Sequence, residues 1–137
     1  ATVDFYKVDA AWFVDLPGYG YAKTGRDERR RWDELINGYF EAQRPVALLV
    51  QLLDSRHAPS ADDVQMMEYL RYHSIPFLAA LTKADKLKTA QKRQAMQDFR
   101  QFCLPYGAEG VILTSAQDGF GMEELRSRIS LACETQR

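Results

Sequence analysis

The chain has 137 residues, 46% hydrophobic and 27% charged, which fits one globular domain long enough to bury a real core. Eighteen Lys and Arg against nineteen Asp and Glu leave a formal net charge of −1, so no global field draws in nucleic acid or an anionic membrane, although a local patch could. No unbroken apolar run exceeds five residues, which excludes a membrane-spanning helix in this sequence. The first residues lack the basic and apolar regions of a signal peptide. Cys103 and Cys133 build neither a disulfide framework nor a zinc site, and a reducing cytoplasm is the default setting.

In chain order, residues 3–8 alternate apolar and polar, Asp9-Ala10 offers a turn, and residues 11–14 are apolar, which predicts a hairpin. A loop beginning at Gly18 runs to about Gly25. Residues 27–43 form a predicted helix, with Trp32, Leu35, Ile36, Tyr39 and Phe40 at helical spacing. Residues 46–53 read as a buried strand. Ser60 before Asp62 and Asp63 marks a helix start, continued by Val64, Met67, Tyr69 and Leu70 and ending near His73. A buried strand is predicted over residues 75–81, then a helix over 89–104 with Met96, Phe99 and Phe102 inward. A short strand follows over 111–113 and a last helix over 121–133. Apolar strands alternating with helices imply a mostly parallel α/β sheet covered on both faces. Ligands of such sheets sit outside the carboxyl ends of the strands.

Three polar motifs stand at those ends. Asp15-Leu16-Pro17-Gly18 follows the hairpin, Thr82-Lys83-Ala84-Asp85 follows the second buried strand, and Thr114-Ser115-Ala116 follows the last. Each is short enough to occur by chance; all three at successive strand ends form a strong signal. Together they resemble the third, fourth and fifth motifs of the translational GTPase class of P-loop proteins. The stretch from Asp15 through Tyr19-Gly20-Tyr21-Ala22, and Asp54-Ser55-Arg56-His57 after the next strand, are similar to the EngB family, also called YihA or YsxC. The resemblance covers essentially the whole chain. It implies a G domain, a three-layer α/β sandwich with a mostly parallel sheet and one antiparallel edge strand. It implies GTP and GDP as ligands, Mg²⁺ as cofactor, and a role in assembling the large ribosomal subunit, with an effect on cell division and septation.

The chemistry of the motifs agrees with that implication. Guanine carries a ring N–H and an exocyclic amino group side by side, and a carboxylate such as Asp85 accepts both. Adenine offers no such pair, and an unpaired buried acceptor rejects it by roughly four orders of magnitude. Lys83 can lay its methylene stem over the base while its head stays polar. The Ala116 N–H is a candidate donor to the guanine carbonyl, with Ser115 bracing the loop. By resemblance Asp15 holds Mg²⁺ through water, and the Gly18 N–H approaches a γ-phosphate, an interaction that ends on hydrolysis. Tyr19 stands where Ras-like proteins use Gln to orient water, so intrinsic hydrolysis is expected to be slow and no catalytic residue is assigned.

The family's phosphate loop, G-x-x-x-x-G-K-[ST], does not occur in these 137 residues. Lys23-Thr24 is no substitute, because Ala22 stands where the Gly is required. Thr2 has nothing around it to support a second-motif role. The expectation is a single G domain over residues 1–137 that lacks its first strand, phosphate loop and second motif, and hence belongs to a longer protein. A different class of function stays open: a nucleotide-independent module that docks a protein or RNA partner.

Other features have plainer readings. Arg26, Arg29, Arg30 and Arg31 are read as a solvated face interleaved with acids, ribosomal RNA phosphates being the alternative. His57 is read as making a structural hydrogen bond. Met66, Met67 and the aromatic stripe are assigned to the core, and both cysteines are read as inert buried thiols.

Overall fold

The computed structural model describes residues 4–8, 11–15 and 46–135, together with Arg30, Asp33, Glu34, Asn37 and Gly38. The five isolated residues are helical, inside the helix expected over residues 27–43. The expectations placed on Thr2, Leu16, Pro17, Gly18, Tyr19, residues 20–29, Arg31, Trp32, Leu35, Ile36, Tyr39 and Phe40 lie outside the described residues. The chain divides into two compact units, residues 1–45 and 46–137.

In the first unit, β1 (Asp4–Val8) pairs antiparallel with β2 (Ala11–Asp15). Val8 stands opposite Ala11 and Asp4 opposite Asp15. Asp15 is the last residue of β2.

The second unit is a three-stranded parallel sheet with helices. Its strands are β3 (Leu49–Asp54), β4 (Phe77–Thr82) and β5 (Val111–Leu113), in the order β3-β4-β5. The helices are α1 (Ala61–Tyr72), α2 (Thr89–Cys103) and α3 (Met122–Thr135). Strand β4 lies in the middle, and Phe77 through Leu81 are all buried, which explains its unbroken apolar run. The edge strand β3 alternates instead: Gln51 and Leu53 are 2% and 3% exposed, whereas Leu52 is 63% exposed. Leu52 pairs with the fully buried Ala80, so this face of the sheet is covered at its centre and open at the β3 edge among the described residues. Strands β3 and β4 begin later than expected, at Leu49 and Phe77 rather than 46 and 75, and each ends one residue later, on the polar Asp54 and Thr82.

Helix α1 starts where Ser60 predicts. The Ser60 hydroxyl accepts from the Asp63 N–H at 3.1 Å, and the Asp63 carboxylate accepts from the Ser60 N–H at 2.9 Å, a reciprocal cap. Met66, Met67 and Leu70 point into the core, and His73 caps the far end. Gln51 reaches from β3 to the Asp63 carbonyl at 3.2 Å, which ties helix to sheet.

Helix α2 corrects one expectation. Ala95, Phe99 and Cys103, spaced four apart, form its buried line, but Met96 is half-buried and Phe102 is 38% exposed. Phe102 sits about 60° around the helix from Phe99 and falls on the flank of a narrow stripe. Burial pushes the Cys103 thiol up to about 11, whereas Cys133 is only half-buried.

Candidate nucleotide site

The carboxyl ends of β3, β4 and β5 bring together two of the three predicted motifs, with Asp54 beside them. Parallel pairing sets this convergence: Asp54 stands opposite Thr82, and Leu81 opposite Leu113. Two cross-strand bonds continue past the ladder. The Ser55 N–H donates to the Thr82 carbonyl at 3.1 Å, and the Thr114 N–H to the Leu81 carbonyl at 2.7 Å.

The chain leaves β4 through a tight reversal. Lys83 has φ 64° and ψ 36°, left-handed backbone that costs a non-glycine residue about 1 kcal/mol or more. The reversal lets the buried Ala84 donate its N–H to the Thr114 carbonyl at 3.0 Å and opens a single 3-10 turn, Ala84–Lys86. Thr82 and Thr114 turn their hydroxyls to the Leu53 and Leu81 carbonyls, at 3.4 and 2.9 Å. These three predicted site residues therefore brace the loops from within.

Asp85 and Ser115, from two of the motifs, come together. The Ser115 hydroxyl, fully buried, donates to Asp85 Oδ1 at 2.9 Å. Ser115 Oγ in turn accepts the N–H groups of Gln117 and Asp118 at 3.2 and 3.3 Å, so one serine organises the loop and fixes the carboxylate. Among the described residues, Asp85 Oδ2 has only the Lys86 ammonium nearby, at 3.9 Å, and retains its capacity to accept a donor. Ala116 is exposed, and its N–H takes no part in the backbone bonds that close this loop.

The loop then closes on Gly121. The Phe120 carbonyl accepts from the Ser115 N–H at 2.9 Å, and Asp118 Oδ1 accepts from the Phe120 N–H at 3.0 Å. That backbone donor holds the Asp118 carboxyl below the usual carboxylate range. Gly121 has φ 71°, and a Cβ there would lie 1.9 Å from the Leu113 carbonyl oxygen, so only glycine fits. Lys92 at the start of α2 lies over the Phe120 ring at 4.4 Å.

On the opposite flank, Asp54 gathers two cations. Arg56 donates to Oδ1 from Nε at 3.1 Å and from its backbone N–H at 2.9 Å, and to Oδ2 from Nη2 at 2.9 Å. Lys83 Nζ approaches the same Oδ2 at 3.3 Å. The Arg56 side chain, helped by the Lys83 ammonium, holds the Asp54 carboxyl well below the usual carboxylate range. The motifs assign Asp54 and Arg56 no role; the signal in the sequence is an acid at the end of an apolar strand. His57 is exposed, and its ring meets no hydrogen-bond partner among the described residues, contrary to expectation. A cleft of about 550 Å³ runs from Arg56 and Lys86 to Phe99 and Phe102, but neither Asp85 nor Ser115 lines it. The Asp85 site is thus an open edge beside that cleft. No group of three or more His, Cys, Asp or Glu able to hold a metal occurs among the described residues. Nor, among them, is any helix long and apolar enough to cross a membrane.

No family model matches the chain. Individual proteins match strongly. It is 45% identical over 121 residues to the probable GTP-binding protein EngB of Chlorobaculum tepidum, covering 88% of this chain and 62% of that protein. It is 37% identical over 130 residues to the protein of the same name from Thermotoga maritima, covering 94% and 67%. The chain thus spans about two thirds of the length of these curated relatives. A crystal structure of a probable GTP-binding protein engB superposes with a TM-score of 0.77 at 20% identity, covering 97% of this chain and 82% of that one. The fold is the α/β fold of the P-loop GTPases, and the chain belongs to the EngB family.

Proposed function

We propose that this protein is a guanine-nucleotide switch of the EngB type. The observation that carries the reading is the Asp85 carboxylate, oriented through Oδ1 by the buried Ser115 hydroxyl with Oδ2 left to accept. Such a group suits the paired donors of guanine and leaves adenine without a partner. Lys83 beside it and the N–H of the exposed residue Ala116 supply a stem for the base face and a donor for its carbonyl. The relatives' name, GTP-binding protein, supports the same ligand.

The finer parts of the proposal rest on the family resemblance. Mg²⁺ is assigned to Asp15 and the γ-phosphate interaction to Gly18. Hydrolysis is slow, because Tyr19 offers no amide to orient water. The proposed setting is the cytoplasm, the proposed partner is the large ribosomal subunit or its precursor, and the proposed consequence of loss is defective division and septation.

Titration of fluorescent GDP with Mg²⁺, competed separately by GTP and ATP, tests the ligand. Displacement by GTP but not by ATP is expected. Equal displacement by both, or no binding up to millimolar nucleotide, would overturn the reading in favour of nucleotide-independent docking.

A further inference from the structure

The turn after β4 sends the Lys83 and Asp85 side chains in opposite directions. Asp85 is tied toward β5 by Ser115, and Lys83 is tied toward β3 by Asp54. The backbone alone does not fix Lys83: its side chain is half exposed, and a lysine stem has four rotatable bonds. Its left-handed φ fixes the direction in which the stem departs, and the Asp54 ion pair fixes where it ends.

Asp54 is itself held. It closes β3 in register with Thr82, the residue before Lys83. The Arg56 fork and backbone N–H occupy both of its oxygens, leaving the carboxylate one orientation in which Oδ2 faces Lys83. Two cations share one anion here. Loss of that anion would leave Arg56 and Lys83 as neighbouring like charges, each driven toward solvent.

We propose that Asp54 is a positioning residue for the nucleotide site, holding the Lys83 ammonium so that the lysine stem stays extended across the strand ends and presents an apolar rail to the base. The proposal rests on the guanine-nucleotide reading and adds a division of labour to it. Asp85 chooses the base, whereas the Asp54–Lys83 pair sets how tightly any purine of that shape is held. The lysine stem meets a ring face and is indifferent to the exocyclic amine.

A double-mutant cycle tests this. GDP and IDP are titrated against the wild-type protein, Asp54→Asn, Lys83→Met and the double variant, with a thermal melt of each. Asp54→Asn is expected to weaken GDP and IDP alike by about threefold, the scale of a half-exposed ion pair. It is expected to add no further loss in the Lys83→Met background. Unchanged affinity in Asp54→Asn would overturn the proposal. So would a loss that persists in full after Lys83→Met, because Asp54 would then act through folding and not through Lys83. If the wild-type protein binds no guanine nucleotide, the underlying reading fails, and this inference fails with it.

Discussion

The Lys83–Asp85 turn is anchored on both flanks, by different physics. On the β5 flank the anchor is steric and buried: a serine without solvent exposure, a glycine whose Cβ would meet a carbonyl, and a closed set of backbone bonds. On the β3 flank the anchor is electrostatic and wet: one carboxylate between a guanidinium and an ammonium, with side chains 27%, 39% and 52% exposed. Buried geometry is insensitive to ionic strength, whereas exposed charge is screened. In the proposed nucleotide site, the half assigned to choosing the base is therefore rigid, and the half assigned to gripping it is tunable.

The comparison breaks most visibly at Gly121. Gly121→Ala is expected to cost about 3 kcal/mol or more, because either the Leu113 carbonyl or the left-handed turn must move. A thermal melt should show a midpoint lowered by about 10 °C, and guanine binding should fall with it. Ser115→Ala is the next largest. It strips the donor from Asp85 Oδ1 and the acceptor from two N–H groups, at about 1–3 kcal/mol, read from urea midpoints.

The β3 flank should respond less, and in a different currency. The folded carboxyl of Asp54 is depressed, so its contribution is fully present above the unfolded value of about 3.9 and is lost as pH falls through the lower folded value. Exposure limits that contribution to about 1 kcal/mol or less. The difference in urea midpoint between wild type and Asp54→Asn should therefore shrink on going from pH 7 toward pH 2. It should shrink again at pH 7 in 1 M salt, roughly a 3 Å screening length. The Ser115→Ala difference should survive the same salt. If both differences respond equally, the distinction between the flanks is wrong.

Much of the molecule is legible in its sequence wherever local rules decide. The run Phe77 to Leu81 reads as a strand buried on both faces, and it is one. Ser60 and Asp63 read as a helix start, and they cap each other. The strand-end rule draws Asp85 and Ser115 together, and they meet at 2.9 Å. What escapes the sequence depends on how elements sit side by side. Leu52 lies within an apolar run, and its exposure follows from the lack of cover on its face at the β3 side of the sheet, among the described residues. The Asp54–Lys83 pair joins residues far apart in the chain, and only the parallel register makes them neighbours. Phe102 fits the helical period, but its burial turns on the width of the groove beneath the helix, which no periodicity encodes.

The fully buried Cys103 has a use unrelated to nucleotide. A thiol shielded from solvent and pushed up to about 11 is almost wholly protonated at neutral pH and out of reach of alkylating reagents. It reacts only when α2 lifts from the sheet or the second unit opens altogether. Half-buried Cys133, near the end of α3, provides the faster internal reference. The pair makes the chain its own stopwatch: the ratio of the two labelling rates reports how often the core opens, with no cysteine engineered into the molecule.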